Sequence, residues 1–334
     1  MQARKILFLP PKPLAQEILS PRAKATLESL GVVLWNELDR NYTSDELAEL
    51  LPGAEAVVTS WGSPNFTPDL LAAADSLRIV GHAAGTVKRL MPQEGFDRGI
   101  VVLSAAAVIA DAVAEYTLWA MLTLQRNLLR YVQLMKEERG WKSPNEQHGH
   151  SLYKQKVGIV SASMVGRRVI KLLQPFGCDI MVYDPYLSAA DQQALGVRTV
   201  SLEELFATGD VISLHAPSTQ ETRRMIGAAH FQAIRDGAVF VNTARTWVLD
   251  EAALIAELQT GRFRAILDVF EQEPLPADHP LRDLPNVYLT PHISGHSVEV
   301  RLRLVEEVVD DIQAFFAGQS LRLAVPPERL AIMA

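Results

Sequence analysis

Cysteine is almost missing from this chain: Cys178 is the only one in 334 residues. A single thiol excludes an internal disulfide and a cysteine-rich zinc cage, and it suits a reducing compartment. Because free cysteine is usually buried, Cys178 is expected in the core of a strand. Positive charge is in short supply too. Lys and Arg number 32 against 39 Asp and Glu, so that 32 − 39 = −7, with a pI near 5.7. That balance advertises no basic surface for nucleic acid or an anionic membrane. The opening MQARKILFLPPKP has only Ile6 to Leu9 as an apolar run before two prolines, against the roughly 7 to 15 residues of a signal core. No export signal is visible there, and a cytoplasmic protein is expected. The longest apolar stretch, residues 101 to 124, is interrupted by Asp111 and Glu115, so it is expected to fall short of the roughly 20 residues of a membrane helix. Internal repeats and low-complexity tracts are also absent.

What is present is a globular pattern. Hydrophobic residues make up 48% of the chain, and its length exceeds the roughly 100 to 200 residues usual for one domain, which predicts two domains. Up to about residue 103, strand-like and helix-like stretches alternate: KILFLP, a helix from Leu14 to Leu30, VVLW, a helix from Asp45 to Leu51, AVVTS, LRIVG and IVVL. Thr43 with Glu46 forms a capping box for one helix, and Thr67 followed by Pro68 marks the start of another. From Ala105 to about Glu138 the pattern is helical without an internal proline or glycine, which predicts one long connector helix. Residues 139 to 155 are polar and loop-like. A second α/β unit follows, with strands expected at VRTV, DVISLHAP, GAVFVNTA, RAILDVF and NVYLTPH, and a last helix from about Ser297 to Ala317.

The second unit opens on KVGIVSASMVGRRVIKLLQPFGCDIMVYD, residues 156 to 184. Val157, Ile159 and Val160 read as a buried parallel strand. Val165, Val169, Ile170, Leu172 and Leu173 recur at helical spacing until Pro175 and Gly177, and Ile180 to Tyr183 form the next strand, closed by Asp184. A dinucleotide fingerprint places G-x-G-x-x-G at such a turn and an acid about 20 residues on, because glycines admit the pyrophosphate and the acid takes a ribose hydroxyl. Here the turn is Ser161-Ala162-Ser163-Met164-Val165-Gly166, and only the third glycine survives. Asp184 would accept from the adenosine ribose and repel a 2′-phosphate, and the next arginine is Arg198, which favours NAD over NADP.

Three later strand ends carry ionisable residues: Arg245 in VNTARTWVLDE, Glu273 in ILDVFEQEPLP and His292 in LTPHISGHS. Each alone reads as ordinary, a solvated loop arginine, a surface carboxylate or a structural histidine. Together they make a chemical set. An arginine fork holds a carboxylate, an imidazole gives or takes the proton of a hydroxyl, and a carboxylate orients that imidazole. The set suits interconversion of a 2-hydroxy and a 2-oxo acid, with hydride carried by nicotinamide. His292 and His296 have i, i+4 spacing, but Pro291 and Ser294-Gly295 break any helix through both, and no metal site is expected.

The blocks VGIVSASMVGRRV with VYDP, HAPSTQETRRMI, FVNTAR, LDVFEQEPLP and NVYLTPHIS stand in an order and spacing that resembles the D-isomer-specific 2-hydroxyacid dehydrogenase family, from Lys5 to about Gly318. The resemblance implies an α/β fold of two domains, each a parallel sheet flanked by helices. A flavodoxin-like substrate (catalytic) domain would comprise residues 1–103 plus 297–334, and a Rossmann-type NAD-binding domain residues 104–296. By matched position it implies Arg245 as the substrate-carboxylate anchor, His292 as proton donor and acceptor, and Glu273 as its partner. Asp268 would contact the nicotinamide amide, and the backbone around Ser163, Met164 and Val165 would receive the pyrophosphate. His215, Ala216, Pro217, Thr222, Thr243, Ala244 and Gly295 would line the cofactor, while the amides of Ala84, Gly85 and Thr86 would meet the substrate carboxylate. A small 2-oxo or 2-hydroxy acid is the implied partner, with pairing into a homodimer through residues 111 to 138.

Several positions depart from the family pattern. Ser161 and Ser163 replace two glycines, and the Cβ of Ser163 is expected to stand where the backbone nears a phosphate. Lys88 stands where aspartate is usual, Thr246-Trp247 where glycine is common, and Ser104 and Ile109 where asparagine is frequent. Two other functions fit the same fold: a non-catalytic, nucleotide-sensing regulator, favoured by the altered turn, and a formate-type dehydrogenase, which resembles this family but tends to carry glutamine at the position of Glu273.

Overall fold

A computed structural model describes residues 3–143 and 148–332. Pro144 to Gln147, in the polar segment expected as a loop, lie outside the described residues. The chain forms two compact units, Met1–Ile109 with His296–Ala334, and Ala110–Gly295.

In the first unit five parallel strands, β1 (Arg4–Phe8), β2 (Gly31–Trp35), β3 (Ala54–Thr59), β4 (Ile79–His82) and β5 (Val101–Ser104), lie in the order β2-β1-β3-β4-β5. That is the flavodoxin-like order 2-1-3-4-5. Leu7, Leu9, Val57, Val80 and Val102 bury one face against Leu47, Leu70 and Leu71. On the other face, Gly81 leaves room for the helix Val298–Phe316: a Cβ there would stand 2.3 Å from Val308 Cγ1. The expected helix over Leu14 to Leu30 is two helices, Lys12–Ile18 and Pro21–Leu30. The reason is local. Pro21 has no N–H to continue the ladder, and Ser20 caps the second helix by accepting from Ala23 N at 3.1 Å. A short helix, Gln93–Asp97, was not anticipated. The capping box of Thr43 and Glu46 forms as expected.

The second unit has seven parallel strands, β6 (Lys156–Val160), β7 (Asp179–Tyr183), β8 (Arg198–Thr199), β9 (Val211–Leu214), β10 (Val239–Asn242), β11 (Arg264–Leu267) and β12 (Val287–Leu289). They are ordered β12-β11-β10-β9-β6-β7-β8. Numbered within the unit and read from β8, this is 3-2-1-4-5-6 with one more strand, the doubly wound order of dinucleotide-binding sheets. The α/β fold expected from the sequence is therefore the fold found. Both faces are covered. Leu214, Phe240 and Leu267 pack on one side, with Phe206, Phe231 and Leu254; Val157, Ile159, Val241 and Ile266 pack on the other, with Met121, Val169 and Ile170. Such two-sided burial is why these strands read as apolar runs and not as alternating ones.

Three further expectations need correction. The helix over 105 to 138 is two helices, Ala106–Gln125 and Leu128–Lys136, separated where Asn127 takes the left-handed conformation at φ 51. Asparagine tolerates that region, so no glycine or proline announced the break. Ala106–Gln125 is also long and apolar enough to cross a membrane by length and composition, despite Asp111 and Glu115, although half of its most apolar stretch is buried within the protein. Cys178 lies one residue before β7, half-buried, packed against the core without being part of a strand.

Candidate active site

The second unit gathers its chemistry at the carboxyl ends of its strands. Ser161 follows β6, Asp184 follows β7, His215 follows β9, Arg245 follows β10, Asp268 follows β11 and His292 follows β12. Neighbouring strands β6 and β9 run to helices on opposite sides, and ligands of open α/β sheets bind at that switch point.

Ser161 occupies the first glycine position and takes up a glycine-like backbone, with φ 77. A side chain there is strained, and its hydroxyl is engaged: Ser161 Oγ donates to Asp184 Oδ2 at 3.3 Å, beside Ala162 N at 2.8 Å. Tyr186 N donates to Asp184 Oδ1 at 2.9 Å. The carboxylate is thus fixed at the tip of the turn. Ser163 caps the helix Met164–Leu173, accepting from Gly166 N at 3.3 Å. The serine that takes a strained backbone is therefore Ser161, not Ser163, whose φ of −60 suits any residue. Gly166 cannot be replaced freely, because a Cβ would stand 2.1 Å from Ser161 O. A glycine-like turn, an acid at the next strand end and the first amides of a ten-residue helix fit a dinucleotide pyrophosphate and ribose.

His292 and Glu273 meet. His292 Nδ1 lies 2.7 Å from Glu273 Oε2, while Glu273 Oε1 accepts from Phe270 N at 3.0 Å. Burial pushes the Glu273 carboxyl up, but its bonds to His292 and the Phe270 amide outweigh that and hold it below the usual carboxylate range. With Nδ1 committed to the carboxylate, Nε2 is the atom left to exchange a proton. His292 itself sits in the left-handed region, φ 54, a strained backbone that its surroundings enforce. Arg245 is exposed as a residue, with Nη1 donating to Ala244 O at 2.6 Å. Desolvation lowers its pKa, against the charges of Glu273 and Asp268 that raise it. A guanidinium stays cationic through this.

Asp268 is a buried carboxylate. It is 0% exposed, and its carboxylate accepts from Thr290 Oγ1 at 2.6 Å, Ile293 N at 2.9 Å and Ser294 N at 2.8 Å. The turn that carries His292 encloses it. Thr290 is also bonded to Tyr116 Oη at 2.7 Å, and Thr243 to Thr117 Oγ1 at 3.0 Å. Tyr116, Thr117 and Thr290 were not singled out from sequence; one turn of an apolar helix gives no signal that two of its hydroxyls reach two strand ends.

Among the remaining expected residues, His215 is buried and bonded to Ser213 Oγ at 3.0 Å, and burial pushes its pKa down to about 3. Its imidazole is neutral. Ala216 is buried beside it. Pro217 and Thr222 close one turn, Thr222 Oγ1 donating to Pro217 O at 2.6 Å. Met164 is exposed at the helix start, with Val165 half-buried. Trp247 ties its loop to that turn, Nε1 donating to Thr219 O at 2.7 Å. Gly295 closes the turn after His292. In the first unit, Ala84, Gly85 and Thr86 follow β4, and Ser104 Oγ donates to Gly85 O, so Ser104 braces that loop. Burial lowers the pKa of Lys88 in the same loop.

A family profile described as D-isomer specific 2-hydroxyacid dehydrogenase, NAD binding domain, matches residues 118–294. The chain is 33% identical over 310 residues to a D-3-phosphoglycerate dehydrogenase of Methanocaldococcus jannaschii, covering 92% of this chain and 58% of that protein. It thus spans little more than half the length of that relative. It is 34% identical over 285 residues to a glyoxylate reductase of Korarchaeum cryptofilum, covering 84% of each. The crystal structure of a phosphoglycerate oxidoreductase from Rhizobium etli superposes with a TM-score of 0.83 at 26% identity, over 98% of this chain and 99% of that one. By profile, by sequence and by fold, the chain belongs to the D-isomer specific 2-hydroxyacid dehydrogenases and carries that family's NAD-binding domain.

Proposed function

We propose that the protein is an NAD-dependent oxidoreductase that interconverts a small 2-oxo acid and its D-2-hydroxy acid. The observation that carries the reading is the 2.7 Å contact between His292 Nδ1 and Glu273 Oε2. It fixes one imidazole nitrogen and presents the other for proton exchange, a device that a nucleotide sensor has no use for. A formate-type reaction needs no such proton transfer either, and the residue at this position is a carboxylate.

The first unit would act as the substrate domain and the second as the dinucleotide-binding domain. NAD supplies and accepts hydride when bound. Asp184 would hold the adenosine ribose, Ser163, Met164 and Val165 the pyrophosphate at the helix start, and His215, Ala216, Pro217, Thr222, Thr243, Ala244 and Gly295 the remaining walls. Asp268 would contact the nicotinamide amide and hold the turn that carries His292. Arg245 would clamp the substrate carboxylate in two parallel hydrogen bonds, a geometry lysine does not offer. The amides of Ala84, Gly85 and Thr86 are proposed as substrate-carboxylate donors of the first unit. In reduction, His292 Nε2 gives its proton to the carbonyl oxygen while Glu273 stabilises the imidazole in both states. In oxidation, Nε2 takes the hydroxyl proton back.

The test is NADH consumption, followed by absorbance, across a panel of small 2-oxo acids. Wild-type protein is expected to turn over at least one, and His292→Ala to lose roughly 100-fold or more in kcat, the scale of a missing acid–base group. Equal rates in the two proteins end the catalytic assignment.

The protein is further proposed to work in the cytoplasm, away from membranes, as a homodimer. Supporting the dimer is an apolar face on helices Ala106–Gln125 and Leu128–Lys136, where Trp119, Leu128, Val132 and Met135 are 45%, 48%, 41% and 51% exposed.

A further inference from the structure

Glu251 is a buried acid with no part in the proton transfer described above. It is the first residue of the helix Glu251–Leu258 and is 9% exposed. Carboxylates are seldom buried without a reason, because desolvation disfavours their charge. The helix start does not supply one: Asp250 already caps it, accepting from Ala253 N at 3.1 Å.

Its partners lie elsewhere. Glu251 Oε1 accepts from the backbone N–H of Glu271 at 3.1 Å, and Oε2 lies 3.9 Å from His279 Nε2. His279 Nδ1 accepts from Leu281 N at 3.4 Å, which leaves Nε2 as the ring nitrogen that faces Glu251. Glu271 is two residues from Glu273, and the amide before it, Phe270 N, is the one that binds Glu273 Oε1. Two successive amides of the loop are therefore held by two carboxylates, Glu273 from within and Glu251 from the neighbouring helix. The Glu271 side chain is held as well, 3.6 Å from Arg224 Nη2, and Arg224 N donates to Trp247 O at 2.9 Å.

We propose that Glu251 is a positioning residue, which fixes the loop from Phe270 to Glu273 so that the Glu273 carboxylate meets His292 Nδ1. The inference rests on the reading of Glu273 and His292 as the proton-transfer pair. Without the Glu251 acceptor, the Glu271 amide loses its partner and the loop is free to swing, which separates Glu273 from the imidazole. Burial raises the Glu251 pKa, opposed by the Glu271 amide and by His279, while the Glu271 charge raises it. The group is thus able to keep its acceptor in either protonation state, since the protonated acid retains a carbonyl oxygen.

The experiment compares Glu251→Ala and Glu251→Gln with Glu273→Gln and His292→Ala as controls, in NADH-dependent reduction of the best 2-oxo acid and in NADH titration by protein fluorescence. Glu251→Ala is expected to lower kcat roughly tenfold, the scale of one lost buried hydrogen bond, with KM and NADH affinity little changed. Its pH–rate profile should move in the same direction as that of Glu273→Gln. Glu251→Gln keeps a carbonyl acceptor for Glu271 N and should restore most of the rate. Wild-type kcat and pH profile in folded Glu251→Ala overturn the inference, as does Glu251→Gln being as impaired as Glu251→Ala. If Glu251→Ala does not fold, Glu251→Asp withdraws the acceptor by one methylene and is judged by the same criteria. Should His292→Ala and Glu273→Gln themselves retain full rate, the reading of the site fails; should only Glu251→Ala retain it, the positioning role alone fails.

Discussion

Lowering the pH from 7 to 5 should destabilise the first unit through one residue, His82. It ends β4, immediately before the loop Ala83 to Thr86, and is 8% exposed, with Nδ1 2.9 Å from Thr59 Oγ1. Burial pushes its pKa down from 6.5 to about 4. Below pH 6.5 the unfolded chain takes up a proton that folded His82 refuses, so stability falls as pH falls. The loss levels off only near pH 4, where the folded imidazole titrates. The gap between the two values is worth about 3 kcal/mol at full amplitude, of which about 2 kcal/mol falls between pH 7 and pH 5. Urea unfolding of wild type and His82→Asn at both pH values, followed by tryptophan emission, isolates the effect, because His215 and every other titrating group is common to both proteins. Wild type should lose about 2 kcal/mol more than the variant over this interval. Parallel pH dependences in the two proteins would refute the argument that His82 is held neutral by burial.

Two further outcomes follow from the turn and from the apolar face. Ser161→Gly relieves a φ of 77 and removes the 3.3 Å bond to Asp184; NADH affinity by fluorescence titration should rise roughly twofold to tenfold, on the scale of one modest hydrogen bond no longer competing for that carboxylate. Weaker binding in the variant would show that the hydroxyl assists the cofactor instead. In gel filtration the wild-type protein should elute at the mass of a dimer, twice 36.9 kDa, and Met135→Glu should shift it toward monomer by placing a charge on the apolar face; a wild-type elution at monomer mass refutes the dimer.

Much of the fold was legible because parallel strands buried on both faces appear as short apolar runs, and because Thr43 with Glu46, and Thr67 with Pro68, mark helix starts by chemistry that acts within four residues. The two helix breaks show where that legibility ends. Pro21 was a visible stop that the periodicity around it outweighed, and Asn127 left-handed at φ 51 has no unique sequence signature. The identities of Arg245, Glu273 and His292 as a chemical set were readable, since their residue types and strand-end positions follow from sequence order. Their arrangement was not. That His292 Nδ1 meets Glu273 Oε2, that Asp268 is enclosed by the turn it holds, and that Glu251 grips the loop beside Glu273 all depend on bonds between segments 19 to 25 residues apart. The sequence alone determined the α/β class and the cast of ionisable groups, because these rest on local periodicity and residue chemistry. Tertiary structure alone decided which serine carries the strain and which nitrogen of His292 is free, because both depend on backbone torsion and on partners brought together only when the strands align.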